Sequence, residues 1–232
     1  MFYFIPIGTA LFAAFFFVEL FQHWMQNKAP HVLCWALGIF VYGAGCVSEG
    51  INAIWGFSEA NFKAWYILGA ILGGCTLAQG TAYLMLKRRT ANVLSVILVS
   101  IILTATILVI LSPIQPVTDV NTKLSGKLLQ WKFIRGITPF LNIYGFLFLV
   151  GGAIYSAIQY YRAMTDKSKC WGNVLIAAGG LLPAVGGTSS KFGHIEVLYI
   201  TELIGICLIH AGYQKMKSSA MPSIYSNQND VF

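Results

Sequence analysis

Apolar residues along this chain gather into seven runs of about twenty, each long enough to cross a hydrocarbon core of about 30 Å as a helix. The runs are Phe2 to Trp24, His31 to Trp55, Phe62 to Leu86, Ala91 to Leu111, Ile137 to Tyr161, Cys170 to Ser189 and His194 to Gln214. The pattern predicts an all-α fold, a polytopic seven-helix membrane bundle. Polar positions inside the runs are few, and in the last run they are aligned. At about 100° per residue, Tyr199, Glu202, His210 and Tyr213 fall within an arc of roughly 80°, with Glu196 at its edge. Leu203 and Ile206 share that stripe, which suits a protein interior better than water. A lone carboxylate at bilayer depth costs about 2.5–3.5 kcal/mol on insertion scales, so Glu202 is a candidate site residue.

Composition strengthens the membrane reading. The chain of 232 residues is 57% hydrophobic and 10% charged, with mean hydropathy +0.70, against about 25% charged residues in soluble domains. No polar block is long enough for a soluble domain, so residues 1–217 read as one seven-helix domain and 218–232 as a disordered cytoplasmic tail. The opening run lacks a basic n-region and a small-residue cleavage site, and reads as a first span. A net charge of +7 would point to nucleic acid in a soluble protein; here the charges flank apolar runs, and no nucleic-acid partner is expected. Cys34, Cys46, Cys75, Cys170 and Cys207 lie in or beside the runs without C-x-x-C spacing, so they read as small buried hydrophobes. No metal site and no cofactor is expected.

The loops predict an orientation. Lys28, Lys87, Arg88, Arg89, Arg162, Lys167, Lys169, Lys215 and Lys217 make nine basic residues on one side, and Lys63, Lys123, Lys127, Lys132, Arg135 and Lys191 make six on the other. The excess places the N-terminus outside and the C-terminus inside, in a plasma membrane or bacterial inner membrane. In the long outer loop, 112–136, Val120, Leu124, Leu128 and Trp131 recur at helical spacing after Pro113 and Pro116. This predicts a short interfacial helix, a connector or a lid over an outward opening.

A parallel repeat is also suggested. Cys34-Trp35 leads to Trp65-Tyr66-Ile67 as Cys170-Trp171 leads to Leu198-Tyr199-Ile200, and Tyr83 before Lys87 matches Tyr213 before Lys215. Runs one to three and five to seven would be the copies and run four the linker. In topology the chain resembles the 3+1+3 seven-helix proteins, the SWEET and PnuC-type facilitators and the microbial rhodopsins. There is no lysine between Ile195 and Gln214 for a retinal Schiff base, no paired-tryptophan pattern of the PnuC kind and no proline-glutamine dipeptide of the SWEET-related kind, so no family residue carries over.

Depth counting along the helices sorts the polar residues into two layers. An outer layer of Glu49, Asn52, Trp65, Tyr66, Asn142, Tyr199 and Glu202 would line a site for a small polar or cationic solute, with an aromatic wall. An inner layer of Glu19, Gln79, Tyr83, Tyr155 and His210, with His23, Gln159, Asn173 and Tyr213 beside them, would form a gate or proton path joined to the outer site. Run six carries Gly179-Gly180, Pro183 and Gly186-Gly187, a pattern that predicts a hinge near Pro183.

Three functions fit these residues. The first is a small-solute transporter or facilitator in the lipid bilayer. The second is a sensor or structural subunit acting through a partner subunit or as a homo-oligomer. The third is a membrane enzyme acting on a lipid or a quinone, or a haem protein using two of His23, His31 and His210. Catalytic motifs such as H-E-x-x-H or G-x-S-x-G are absent from the sequence.

Overall fold

The computed structural model describes residues 4–117, 124–192 and 194–220. It is all-helical, with seven helices long and apolar enough to cross a membrane: α1 (Ile5–Asn27), α2 (Pro30–Trp55), α3 (Glu59–Met85), α4 (Arg88–Leu111), α5 (Ile134–Ala163), α6 (Lys167–Lys191) and α7 (Ile195–Ala220). This set is consistent with an integral membrane protein. The last helix runs three residues into the segment expected to be a tail; residues 221–232 lie outside the described part.

Side chains of Val93, Val96, Ile97, Val99, Leu103, Ile107 and Ile110 stand exposed around α4, a surface that suits lipid rather than water. Its inward seam is Ala91, Leu98, Ala105 and Val109. The other six helices form a ring in which α1 packs on α2, α2 on α3, α3 on α5, α5 on α6, α6 on α7 and α7 on α1, while α4 lies outside against α3 and α5. That order is shared by two copies of a three-helix unit and by any up-and-down ring. The matched residues diverge in environment: Tyr66 and Tyr199 are both buried, but Trp35 lies inside against Gly80 whereas Trp171 is 60% exposed.

Two helices depart from α geometry, and neither is α6. In α3, residues Tyr66–Gly73 are π-helical, and in α5, Phe146–Gly151. Such wide turns disturb the i→i+4 ladder, and side chains of the next turn bond the carbonyls there: Thr76 Oγ1 donates to Leu72 O at 2.6 Å and Cys75 Sγ to Ile71 O at 2.9 Å. The two irregular stretches adjoin, since a Cβ on Gly145 would lie 3.3 Å from the Gly74 carbonyl carbon. The helix that was expected to hinge at Pro183 runs unbroken from Lys167 to Lys191. Pro183 packs beside Gly205, where a Cβ would come within 3.3 Å of its Cδ.

In the connection 112–136 the described residues take a form other than an interfacial helix. Residues 118–123, with Val120, lie outside the described part. From Leu124 onward the chain makes one 3₁₀ turn at Gly126–Leu128 and an antiparallel bridge between Ile114 and Leu129. Pro113 and Pro116 lack the N–H groups a helix needs, and the apolar residues find burial another way: Leu124 and Leu129 insert into a core with Phe62, Tyr66 and Ile134. The loop closes over the end of the bundle, with Gly126 so near Tyr66 that a Cβ there would lie 2.9 Å from Cε2. Below, this end is called the loop end, and the end with Lys87-Arg88-Arg89 the basic end.

Candidate functional site

Glycine makes the loop-end site possible by letting the neighbours of α2 approach. A Cβ on Gly43 would lie 2.9 Å from Ala13 Cβ of α1, one on Gly50 3.0 Å from Ile7, and one on Gly38 2.6 Å from Leu77 of α3. Small residues permit such close backbones, and Glu49 ends up only 4% exposed. It lies six residues from the end of α2, about 9 Å at 1.5 Å per residue.

Tyr42, Cys46 and Glu49 lie four and three residues apart on α2, hence on one face, and that face meets α7 at Glu202. Tyr42 donates its hydroxyl to the Glu202 carbonyl at 2.8 Å. Cys46 Sγ lies 3.9 Å from Glu202 Oε2. Trp65 of α3 donates its indole N–H to Glu49 Oε1 at 3.0 Å. One oxygen of each carboxylate and the Cys46 sulfur lie within 4.8 Å of one another. Glu49 Oε2 and Asn52 Oδ1 are sealed from solvent and have no hydrogen-bond donor among the described residues. The ion pairs among the described residues are made by Glu59, Asp166 and Glu19, and include neither Glu49 nor Glu202.

Of the expected outer layer, Glu49, Trp65 and Glu202 therefore converge, with Asn52 one turn beyond Glu49. Tyr199 is buried one turn before Glu202. Tyr66 is buried beneath the loop, and Asn142 is exposed on α5. Cys46 is buried, as its apolar surroundings in the sequence suggest, and it also stands beside the two carboxyl groups. Its three-residue spacing from Glu49 was the available signal.

The expected inner layer divides in two. Glu19 of α1 accepts from Gln214 Nε2 at 2.7 Å and from Lys217 Nζ at 3.0 Å, and lies 3.1 Å from His210 Nε2. Beside it His23 Nδ1 meets Tyr213 OH at 2.8 Å. These contacts bind α1 to the basic half of α7. Gln79 and Tyr83 belong elsewhere: Gln79 Nε2 donates to Ser95 Oγ at 2.7 Å and Ala91 O at 3.0 Å, its Oε1 accepts from Tyr144 OH, and Tyr83 OH meets Asn92 and Ser95. They join α3 to α4 and α5. Tyr155, 55% exposed, and Gln159, also exposed, face away from the bundle.

Among the described residues, buried apolar side chains stand between the polar groups of the two ends. Ile206, one turn from Glu202 and one from His210, is fully buried with Phe16, Ala13 and Ile39. This apolar plug separates the carboxyl pair from a cavity of about 170 Å³ in the basic half, lined by Phe16, Trp35, Ile39, Leu149, Asn173 and Tyr213 among others. Phe16 and Ile39 thus belong to both plug and cavity wall.

Compared with protein-family models, curated proteins and solved structures, the chain matches none significantly.

Proposed function

We propose that this protein is a carrier for a small cation, with Glu49 and Glu202 as its intramembrane site. The observation that carries this reading is the meeting of two carboxyl side chains from different helices with no basic partner among the described residues. Burying one ion costs several kcal/mol, and two like charges side by side cost more. Something must neutralise them, either protons or a bound cation, and a site that exchanges the two couples cation movement to proton movement.

The surroundings agree with this role. The site is lined by packed side chains, which favours an ion over a bulky polar solute. The plug and the cavity beyond it have the order expected of a carrier closed on one side. The positive-inside rule orients the loop end outward and the basic end toward the cytoplasm, and the membrane is then a plasma membrane or a bacterial inner membrane.

The test is proton release from liposomes containing the protein and an internal pH dye, on imposing cation gradients. Wild type is expected to exchange protons for cations, and Glu49→Gln and Glu202→Gln to do so at least about tenfold more slowly, the loss that follows from about 1.4 kcal/mol at the site. A tight wild type under every gradient, with both variants melting well below it, would make the carboxyl pair structural and favour the subunit reading.

A further inference from the structure

We propose that the loop-end site binds a borderline, thiophilic divalent cation of the Zn²⁺ class, held by Cys46 Sγ and the carboxylates of Glu49 and Glu202. This deepens the carrier reading and rests on its assignment of the carboxyl pair as a cation site.

The donor set selects the ion. Hard cations such as Mg²⁺ and Ca²⁺ seek six or more oxygens, whereas a thiolate with carboxylates suits zinc and its neighbours. Spacing agrees. With Zn–S near 2.3 Å and Zn–O near 2.0 Å, a tetrahedral ion holds its sulfur and oxygen ligands about 3.5 Å apart. Cys46 Sγ and Glu202 Oε2 are 3.9 Å apart, a difference that side-chain rotation removes.

A second observation points to a ligand. Glu49 is 4% exposed, yet among the described residues its Oε2 has no donor, and neither has the buried Oδ1 of Asn52 one turn further along α2. Buried acceptors left without partners cost free energy, and a cation beside Cys46 and Glu202 supplies what the Glu49 carboxylate lacks. The supporting contacts resemble those around metal ligands, where outer partners hold the first ones in place: Trp65 fixes one oxygen of Glu49, and Tyr42 ties the α7 backbone at Glu202 to the face that carries Cys46.

The experiment uses the purified full-length protein in detergent. Zn²⁺ binding is measured by calorimetry with excess Mg²⁺ present, and Co²⁺ is the spectroscopic probe. The expected result is one Zn²⁺ per chain that Mg²⁺ does not displace, and a thiolate-to-metal charge-transfer band with Co²⁺. Cys46→Ser is expected to abolish the band and weaken Zn²⁺ at least about tenfold, while Cys207→Ser leaves both unchanged. Melting without metal shows that Cys46→Ser is folded. Zn²⁺ held no better than Mg²⁺, or a cobalt band that survives Cys46→Ser, would overturn the proposal. Glu202-dependent proton exchange with another cation and no Zn²⁺ site would overturn the ion's identity and leave the carrier standing. Cys46-dependent Zn²⁺ binding without any flux would do the reverse.

Discussion

Gly179 of α6 and Gly205 of α7 face each other so closely that a Cβ on the first would lie 2.5 Å from the Gly205 carbonyl oxygen, and one on the second 2.8 Å from that of Gly179. The contact repeats seven residues away, where a Cβ on Gly212 would lie 2.5 Å from Gly172 O. Gly172, Gly179 and Gly186 on one helix and Gly205 and Gly212 on the other form a heptad-spaced seam that fixes the register of α7, and so the height of Glu202. Gly179→Ala is expected to cost about 1–3 kcal/mol, as overpacking does, read as a lower melting temperature in detergent. Gly187→Ala, where a Cβ meets nothing within 4 Å, is expected to cost nothing or to stabilise by up to about 1 kcal/mol through helix propensity. Equal effects at the two sites would remove the seam argument.

Trp65 is the donor on Glu49 Oε1. Trp65→Phe keeps a ring in place and takes away the N–H, and should cost about 1–3 kcal/mol because a buried acceptor is left bare. The loss should shrink in a Glu49→Leu background, where no acceptor remains. A double-mutant cycle of melting free energies measures this coupling, expected at about 0.5–3 kcal/mol for groups in contact. Additive effects would mean that Trp65 acts by packing alone.

Glu19 gathers Gln214, Lys217 and His210 from three turns of α7. Glu19→Gln should loosen the basic ends of α1 and α7, seen as faster hydrogen exchange confined to those ends. Its cost is expected near 1–2 kcal/mol, since the Lys217 side chain is 37% exposed and exposed pairs contribute little by themselves. Lys217→Met should cost less than Glu19→Gln because Gln214 remains on the carboxylate.

Asp166 lies in the turn before α6, where its carboxylate accepts from Lys169 N–H at 3.1 Å and from the Ser219 hydroxyl. These hydrogen bonds, the Ser219 bond foremost, hold its pKa below the usual carboxylate range. A depressed folded-state value gives a contribution that is present above the unfolded value near 3.9 and is lost as pH falls through the folded one. Asp166→Asn keeps a capping acceptor and cannot titrate. The melting difference between wild type and Asp166→Asn should therefore be constant at neutral pH and change only below about pH 4. A difference that instead varies between pH 6 and 8 would contradict this assignment.

The number of helices was legible because each apolar run is long enough to span by itself, a local property that needs no partner. The positions of Glu49 and Glu202 along their helices were legible for the same reason, since a fixed rise per residue gives distance along the axis. The π-helical turns in α3 and α5 were not; they adjoin the contact of Gly74 with Gly145, two residues far apart in the chain. Pro183, the conspicuous breaker, sits in an unbroken helix, its ring accommodated by Gly205 on the neighbouring helix.

By itself, then, the sequence determined the all-helical class, the apolar spans, the end at which basic residues collect and the height of each polar side chain, since all of these follow from composition and period. Tertiary structure alone decided which equal heights become contacts. It brought Cys46 and Glu202 together across 156 positions of chain while turning Asn142 and Tyr155 outward. Height along a helix is set by rise per residue, but azimuth relative to a neighbour is set by packing, and here by where glycine lets two backbones meet.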